Sequence, residues 1–312
     1  MSRVFEALNK ASNDKKRHDE RTSENLEQAV PKAVLFGNGA EMPDFHLEGN
    51  GKKFDQPISL PVSKNGNRSW REKLEELVFG WDLRRYTSYP IVAIDKDSPA
   101  AEQYKILREQ IKRLRTDAGI RTFAISSPVK RDGKTTVAVN LAAALALDYE
   151  EKVLLIDGDL RDPGVHRYFN LPGSPGLADF LGSNHHPAIK DLVQDTFLPS
   201  LRVLPAGRPS GFSSELLAKE KMSQAMEEIR KEFPGYQIVI DCPPVLSTPD
   251  PMVIARQVDG VLMVVRAGKT PRDYLMKALQ SINSNKVVGV VLNGADLGIS
   301  SKYYYYRPSN SH

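Results

Sequence analysis

The sequence predicts an α/β protein built around a doubly wound, mostly parallel β-sheet. Six short segments rich in Val, Ile and Leu are apolar throughout rather than alternating, which is typical of strands buried on both faces. They cover residues 122–126, 152–157, 201–205, 237–241, 258–265 and 287–293. Three amphipathic segments, 135–148, 215–232 and 271–282, lie between them and predict helices. This alternation favours parallel strands with helices on both sides, and ligands of such sheets bind beyond the carboxyl ends of the strands.

Changes in composition divide the chain into three zones. Residues 1–90 are interpreted as an N-terminal extension, with short helices over 2–11 and 72–81 and a polar, flexible linker between them. Residues 91–300 form the main domain, and residues 301–312 form a basic and aromatic tail. The tail carries four consecutive tyrosines, Tyr303, Tyr304, Tyr305 and Tyr306.

Composition and charge exclude several classes of protein. The net charge of +4 over 312 residues is too small for a dedicated nucleic-acid binder, and the single cysteine, Cys242, excludes an internal disulfide framework. Residues 1–19 lack the apolar stretch of a signal peptide, and no apolar run reaches the roughly 18 residues that a membrane span needs. We therefore expect a cytoplasmic protein that binds no nucleic acid and does not itself cross a membrane.

A phosphate-binding loop is predicted where the strand at 122–126 leads into the helix that follows. Backbone N–H groups at a helix N-terminus and the positive end of its dipole favour a bound phosphate. The pattern G-x-x-x-x-G-K-[ST] is met except at its first position, where Pro128 replaces glycine. The residues expected to bind the nucleotide are Lys130, Arg131, Asp132, Gly133, Lys134, Thr135 and Thr136.

Two acidic motifs follow later strands of the predicted sheet. Asp157 and Asp159 come directly after the strand at 152–157, and Asp241 closes the strand at 237–241. A carboxylate at such a position can hold Mg²⁺ or orient the attacking group of a phosphoryl transfer. Each aspartate alone could equally cap a helix or form a turn. The order of the three motifs on three strands favours a nucleotide site.

Taken together, these motifs resemble those of the bacterial tyrosine kinases, P-loop autokinases of polysaccharide biosynthesis, over residues 90–306. Lys134-Thr135 is similar to their Walker A motif, the segment 155–163 (Leu-Ile-Asp-Gly-Asp-Leu-Arg-Asp-Pro) to Walker A′, and the segment 239–246 to Walker B. The terminal tyrosine cluster is the most discriminating element. The resemblance implies a P-loop NTPase fold, ATP and Mg²⁺ as cofactors, and Tyr303–Tyr306 as phosphoacceptors that enter a neighbouring subunit of a homo-oligomeric ring. It also implies control of exopolysaccharide or capsule synthesis and export. A separate membrane activator of the polysaccharide co-polymerase type would recruit the kinase to the inner face of the membrane.

The resemblance also suggests a role for each site residue. Lys134 neutralises the triphosphate, and Thr135 and Asp241, together with Asp157, hold Mg²⁺. Asp157 accepts or orients the proton of the acceptor hydroxyl, and Asp159 supports the metal or its waters. Asn293, after the last strand, is expected to contact the adenine.

Two positions depart from the family pattern. The segment Glu102-Gln103-Tyr104-Lys105-Ile106-Leu107-Arg108 resembles the family's E-x-x-R-x-x-R oligomerisation helix, in which Glu102, Lys105 and Arg108 would meet a neighbouring subunit. Lys105 replaces an arginine there, and lysine cannot form the bidentate contact of a guanidinium. Arg131 stands where family members usually have glycine, so it could crowd the nucleotide or add a cation near the γ-phosphate.

Two alternatives remain open from the sequence. A partitioning or site-selection ATPase of the ParA/MinD type would carry a second lysine where this chain has Val129, with Lys130 one residue too late. A non-catalytic nucleotide-binding scaffold would explain why Arg131 stands where family members usually have glycine.

Overall fold

A single eight-stranded sheet organises the described part of the chain. The computed structural model describes residues 34–35, 89–95, 98–148, 151–182, 187–209, 213–217, 219–282 and 284–295. In chain order the strands are β1 (Val34–Leu35), β2 (Thr122–Ser126), β3 (Val153–Asp157), β4 (Gln194–Asp195), β5 (Leu201–Leu204), β6 (Gln237–Asp241), β7 (Gly260–Arg266) and β8 (Val287–Asn293). Their order across the sheet is β1-β8-β7-β2-β6-β3-β5-β4. All neighbouring strands are parallel except β4 and β5, so the predicted fold class is confirmed.

Helices cover both faces of this sheet. They are α1 (Pro99–Ala118), α2 (Lys134–Ala146), α3 (Val165–Tyr168), α4 (Leu177–Gly182), α5 (Ile189–Leu192), α6 (Ser213–Leu216), α7 (Lys219–Glu232), α8 (Asp250–Ala255) and α9 (Arg272–Ser281). Short 3-10 turns occupy Val92–Ile94 and Ser284–Lys286. Among the described helices, none is both long enough and apolar enough to cross a bilayer.

The central strands are apolar because each contributes side chains to two hydrophobic cores, one on either face. In β2, Phe123 and Ile125 pack with α1 and α2, whereas Ala124 belongs to the core on the other face. The same alternation occurs in β3, where Leu155 and Leu154 point to opposite cores. Alternate side chains of a strand point to opposite faces, so a strand covered on both sides must be apolar at every position.

Two features differ from the sequence prediction. The helix predicted over 215–232 is two helices, α6 and α7. The apolar pattern continues across the break because Leu217, in the turn between them, is itself buried. The N-terminal zone contributes the edge strand β1, which pairs with Val291 and Leu292 of β8. Two residues are too few to produce a periodic pattern. The helices predicted over 2–11 and 72–81 lie outside the described residues.

Capping residues determine where helix α1 begins and ends. The hydroxyl of Ser98 accepts a hydrogen bond from the N–H of Ala100, Pro99 occupies the first turn, and Gly119 ends the helix in the left-handed conformation at φ 68°. The apolar face of α1, which includes Leu107 and Ile111, packs into the core on the α2 side.

Candidate active site

Three of the predicted motifs meet at the carboxyl edge of the sheet. Strand β6 lies between β2 and β3, and Asp157 is in register with Asp241. The phosphate-binding loop leaves the end of β2 beside them, and the N–H of Val245, just after β6, donates to the carbonyl of Ser127 at 2.8 Å. The sheet order therefore brings the loop and both acidic motifs together.

The loop turns into α2 at Gly133, where only glycine fits. Its φ is 91°, and a Cβ added there would lie 2.0 Å from the side-chain nitrogen of Asn293. That nitrogen donates to the carbonyl oxygen of Asp132 at 3.0 Å. Asn293 thus holds the phosphate-binding loop in place, and its contact with adenine stays a prediction.

The residues before Gly133 are fixed by the end of β7 and the turn that follows it. The hydroxyl of Thr270 donates to Oδ1 of Asp132 at 2.7 Å, and the N–H of Val129 donates to Oδ2 at 3.4 Å. Burial raises the pKa of Asp132, although these hydrogen bonds and Arg266 oppose the shift. Asp132 therefore organises the loop, although the sequence analysis placed it among the nucleotide-binding residues.

Arg131 adopts a backbone conformation that explains why glycine suits this position. Its φ is 69°, in the left-handed region that residues with a Cβ rarely adopt. The guanidinium of Arg266 donates to the carbonyl of Arg131 at 3.3 Å and helps to hold this conformation. The side chains of Arg131 and Lys130 are exposed at the surface of the loop.

Lys134, the first residue of α2, lies among the acidic motifs. Its ammonium is 2.9 Å from Oδ2 of Asp159 and 3.8 Å from Oδ1 of Asp241, and it donates to the hydroxyl of Thr135 at 3.1 Å. Burial alone would lower the pKa of Lys134, but Asp241 and Asp159 outweigh it and hold the pKa above its ordinary value. The ammonium is therefore charged at neutral pH and can bind an anion.

Asp157 is completely buried and makes hydrogen bonds along both of its carboxylate oxygens. Its Oδ2 accepts from the N–H groups of Gly164 and Val165, each at 3.0 Å, and its Oδ1 accepts from the N–H of Asp159 at 3.2 Å. Burial, reinforced by Asp241, raises the pKa of Asp157 to about 8. The carboxylate thus shapes the loop after β3 and the start of α3, which is the capping role that the sequence left open as an alternative.

Asp241 is equally buried but bonded differently. Within the described residues, neither of its carboxylate oxygens has a hydrogen-bond partner. The ammonium of Lys134 lies 3.8 Å from Oδ1 of Asp241. Burial raises the pKa of Asp241 to about 6, even though the ammonium of Lys134 and the nearby hydroxyl of Thr135 oppose the shift. Burial of a carboxylate without hydrogen bonds destabilises the fold unless a bound ligand supplies the missing contacts.

The residues around Asp241 fit Mg²⁺. Thr135 and Asp241 supply hard oxygen donors, and Mg²⁺ usually keeps only one or two protein ligands beside water and phosphate oxygens. In the part of the chain that the structure describes, no three acidic, histidine or cysteine side chains form a complete metal site. A metal here would therefore depend on the nucleotide for further ligands.

Sequence reasoning did not predict several contacts that support the site across long stretches of the chain. The guanidinium of Arg161 reaches Oδ2 of Asp250 at 3.4 Å and the hydroxyl of Ser214 at 3.1 Å, and that hydroxyl donates to Oδ1 of Asp250 at 2.7 Å. This network ties the loop after β3 to α6 and α8. Tyr168, whose hydroxyl lies 2.9 Å from that of Thr136, was also missed. Local patterns contain no signal for such long-range pairs.

The predicted oligomerisation residues lie on α1, away from these loops. Glu102 and Lys105 form an ion pair with each other, and Arg108 bonds Glu109 at 2.9 Å and lies 3.9 Å from Asp148. Ile106, among them, is 42% exposed. Their contact with another subunit stays a prediction. The predicted phosphoacceptors Tyr303–Tyr306 lie outside the described residues.

Comparison with known proteins places the chain among well-defined relatives. Residues 124–285 match the model of the AAA domain family AAA_31. The tyrosine-protein kinase YwqD of Bacillus subtilis is 31% identical over 218 residues, which cover 69% of this chain and 90% of the relative. The tyrosine-protein kinase ptk of Acinetobacter johnsonii is 32% identical over 214 residues, but this match covers 68% of this chain and only 28% of the relative.

A solved structure agrees with these sequence matches. The kinase domain of the Escherichia coli tyrosine kinase ETK superposes with a TM-score of 0.61 at 26% identity, covering 71% of this chain and 87% of that domain. The similarity therefore extends over most of that kinase domain.

Proposed function

The chain belongs to the bacterial tyrosine-protein kinases, and we propose that it is an autokinase that transfers phosphate from ATP to Tyr303–Tyr306 of its own tail. One observation carries this proposal. The ammonium of Lys134 and the unbonded carboxylate of Asp241 lie 3.8 Å apart at the mouth of a phosphate-binding loop. A cation for phosphate and a buried carboxylate that has no hydrogen-bond partner among the described residues are what a metal-bound nucleotide requires.

Nucleotide binding exchanges one set of contacts for another. Lys134 leaves Asp159 and turns its ammonium to the β- and γ-phosphates, while the N–H groups at the start of α2 donate to phosphate oxygens. Thr135 and Asp241 would hold Mg²⁺, which shields the phosphate charge when bound. Asp159, released from Lys134, can then accept hydrogen bonds from metal-bound water.

The transfer itself forms one bond and breaks another. The phenolic oxygen of the acceptor tyrosine attacks the γ-phosphorus, the bond from that phosphorus to the β,γ-bridging oxygen breaks, and ADP leaves with that electron pair. The phenolic proton needs an acceptor, since a phenol has a pKa of about 10. Asp159 is the better candidate to take or orient this proton, because its Oδ2 is released when Lys134 turns to the phosphates, although its Oδ1 accepts the N–H of Asp162 at 3.1 Å. Both oxygens of Asp157 accept backbone N–H groups. This assignment departs from the role that the sequence suggested for Asp157.

The tail and the partners complete the proposal. Four adjacent tyrosines would each gain about −1.5 to −2 charges on phosphorylation, so they would repel one another and acidic neighbours. We propose that tails exchange between subunits of a ring joined through Glu102, Lys105 and Arg108, and that phosphorylation releases the ring. A separate membrane activator of the polysaccharide co-polymerase type would hold the kinase at the inner face of the membrane, where it controls exopolysaccharide or capsule synthesis and export.

Incubation of the purified chain with ATP and Mg²⁺, followed by mass spectrometry of the tail, tests the proposal. Phosphotyrosine on Tyr303–Tyr306 is expected in the wild type and absent in Lys134→Met. Lys152→Met is a matched control, because Lys152 is exposed at the opposite, amino end of β3. ATP hydrolysis without phosphotyrosine would instead indicate a switch ATPase, and neither activity would indicate a scaffold.

A mixing experiment tests transfer between subunits. Lys134→Met, which keeps its tail, is combined with a second variant in which all four tail tyrosines are phenylalanine. Neither variant can phosphorylate itself, so phosphate on the Lys134→Met tail requires transfer from the other subunit. An unmodified tail in the mixture, together with a phosphorylated wild type, would overturn transfer between subunits.

A further inference from the structure

Thr136, the second threonine of α2, is held from two sides. Its hydroxyl lies 2.9 Å from the hydroxyl of Tyr168, and its carbonyl accepts a hydrogen bond from the side-chain nitrogen of Asn140 at 2.9 Å. A threonine in the first turn after a phosphate-binding loop faces the bound phosphates. The two contacts therefore fix a group that is expected to touch the nucleotide.

Both contacts lead to residues 89–95, the segment just before α1. The ring of Tyr89 packs on the ring of Tyr168, with 5.2 Å between their centroids. The N–H of Ala93 donates to Oδ1 of Asn140 at 3.0 Å. Tyr168 and Asn140 are buried, whereas Tyr89 is 37% exposed. This segment, in which Ile91 and Ala93 are buried, is thus connected to Thr136 by two separate routes, one through Tyr168 and one through Asn140.

Tyr168 is itself tied to the acidic motif. It ends α3, and the first N–H groups of this helix are bonded to Asp157. A Cβ at Gly164 would lie 3.5 Å from the methyl group of Thr135, so α3 also packs closely on the start of α2. Helix α3 therefore connects the loop after β3 with the phosphate-binding loop.

We propose that Tyr168 is a positioning residue that orients the hydroxyl of Thr136 toward the nucleotide phosphates, and that residues 89–95 set the nucleotide affinity through it. This inference rests on the proposed nucleotide site. The direction of the hydrogen bond explains the effect. If Tyr168 donates to Oγ1 of Thr136, the proton of Thr136 is left free to donate to a phosphate oxygen. Burial raises the pKa of Tyr168, so its hydroxyl keeps the proton that it donates.

We expect substitution of Tyr168 to change the affinity for the nucleotide rather than the rate of the chemical step. Thr136 would contact a phosphate that stays in place as the γ-phosphoryl group moves, so it contributes equally to the ground state and the transition state. Tyr168→Phe removes only the hydroxyl. We expect KM for ATP to rise about two- to tenfold, the range of one neutral hydrogen bond, with kcat unchanged.

Substitutions at Tyr89 separate its ring from its hydroxyl. Tyr89→Phe keeps the ring packing on Tyr168 and should bind nucleotide as the wild type does. Tyr89→Ala removes the ring that covers Tyr168 and should weaken binding in the same direction as Tyr168→Phe. Equal behaviour of the two Tyr89 variants would overturn the role of residues 89–95.

The decisive experiment is a double-mutant cycle, measured by calorimetric binding of Mg·ADP to Thr136→Val, Tyr168→Phe and the double variant. Both single variants should bind more weakly, and the double variant should bind no more weakly than Thr136→Val, because the two side chains act through one group. Tyr236→Phe is the matched control, since its ring also packs on an aromatic neighbour, Phe233, but lies at the amino end of β6. Thermal unfolding of each variant checks that it is folded.

The outcomes separate this inference from the proposed function. Absence of nucleotide binding by the wild type would overturn both. Wild-type affinity in Tyr168→Phe, or independent effects of the two substitutions, would overturn the positioning role alone. A fall in kcat at unchanged KM would also overturn it, because it would place Tyr168 in the chemical step.

Discussion

The ends of β3 and β6 present two aspartates that are alike in position and opposite in bonding. Asp157 and Asp241 lie in register on neighbouring parallel strands, and both are completely buried. The carboxylate of Asp157 accepts three backbone N–H groups, whereas among the described residues the carboxylate of Asp241 has no hydrogen-bond partner. One carboxylate is used by the protein to shape a loop, and the other is left for a ligand.

This difference shows that a motif aspartate cannot be assigned its role from position alone. A carboxylate whose two oxygens both accept hydrogen bonds has few lone pairs left to bind a metal. A buried carboxylate without hydrogen bonds destabilises the folded protein unless a cation binds to it. Lys134 partly compensates Asp241 in the absence of nucleotide. We therefore propose that the end of β6 is a ligand site held at a cost in stability, whereas the carboxylate at the end of β3 stabilises the loop that follows it.

The largest expected effect comes from removing the charge of Asp241. Asp241→Asn should lower kcat by about a hundred- to a thousandfold, because the metal and the phosphoryl charge lose a preorganised partner. The free energy of unfolding should not fall, since a buried charge without hydrogen bonds has been removed and Lys134 keeps Asp159 as its partner at 2.9 Å. Phosphotyrosine formation and urea unfolding measure the two effects. A variant with normal activity would contradict the metal role of Asp241.

Asp157→Asn should mainly affect stability. An amide oxygen can replace only one of the two carboxylate oxygens as acceptor, so at least one backbone N–H in the loop after β3 loses its partner. We expect a loss of about 1–3 kcal/mol in the free energy of unfolding, measured by urea denaturation beside Asp241→Asn. Equal stabilities of the two variants would remove the contrast between the two aspartates.

The two raised pKa values predict an unusual dependence of stability on pH. Because the folded protein binds protons that the unfolded chain has already released, the free energy of unfolding should fall as pH rises above the ordinary carboxyl range. The decline should run through about 6 for Asp241 and continue to about 8 for Asp157. Denaturation without nucleotide between pH 5 and 8 measures it.

Asp241→Asn serves as the reference for this pH series. It should make the decline below about pH 6 shallower, because only Asp157 then contributes to it. It should also move the end of the decline to lower pH, because the charge of Asp241 helps to raise the pKa of Asp157. A wild-type decline identical to that of the variant would show that Asp241 does not titrate in this range.

The smallest expected effect concerns Arg131. Arg131→Gly should raise the free energy of unfolding by about 0.5–1 kcal/mol, because glycine adopts the left-handed φ of 69° without strain but is more flexible in the unfolded chain. Arg131→Ala removes the same guanidinium and keeps the strain. Thermal unfolding of both variants separates the two contributions, and equal stabilisation would show that the charge, rather than the backbone, is responsible.

Much of the site was predictable because a parallel sheet places strand ends on one edge. The apolar runs located β2, β3 and β6, and the residues that follow them, Lys134, Asp157 and Asp241, had to lie close together once the strands were neighbours. The bonds that distinguish these residues were not predictable. The hydroxyl of Thr270 reaches Asp132 across 138 positions, and Asn293 reaches it across 161.

The sequence alone therefore determined the fold class, the family and the location of the phosphate-binding loop, because these depend on local patterns of apolar residues and on short motifs. Only the tertiary structure decided what each motif residue does. It assigned Asp157 to the loop after β3, left Asp241 free for a ligand, and placed Tyr168 against Thr136. Hydrogen-bond partners in a folded chain are fixed by how distant segments pack, and such packing leaves no trace in the local order of residues.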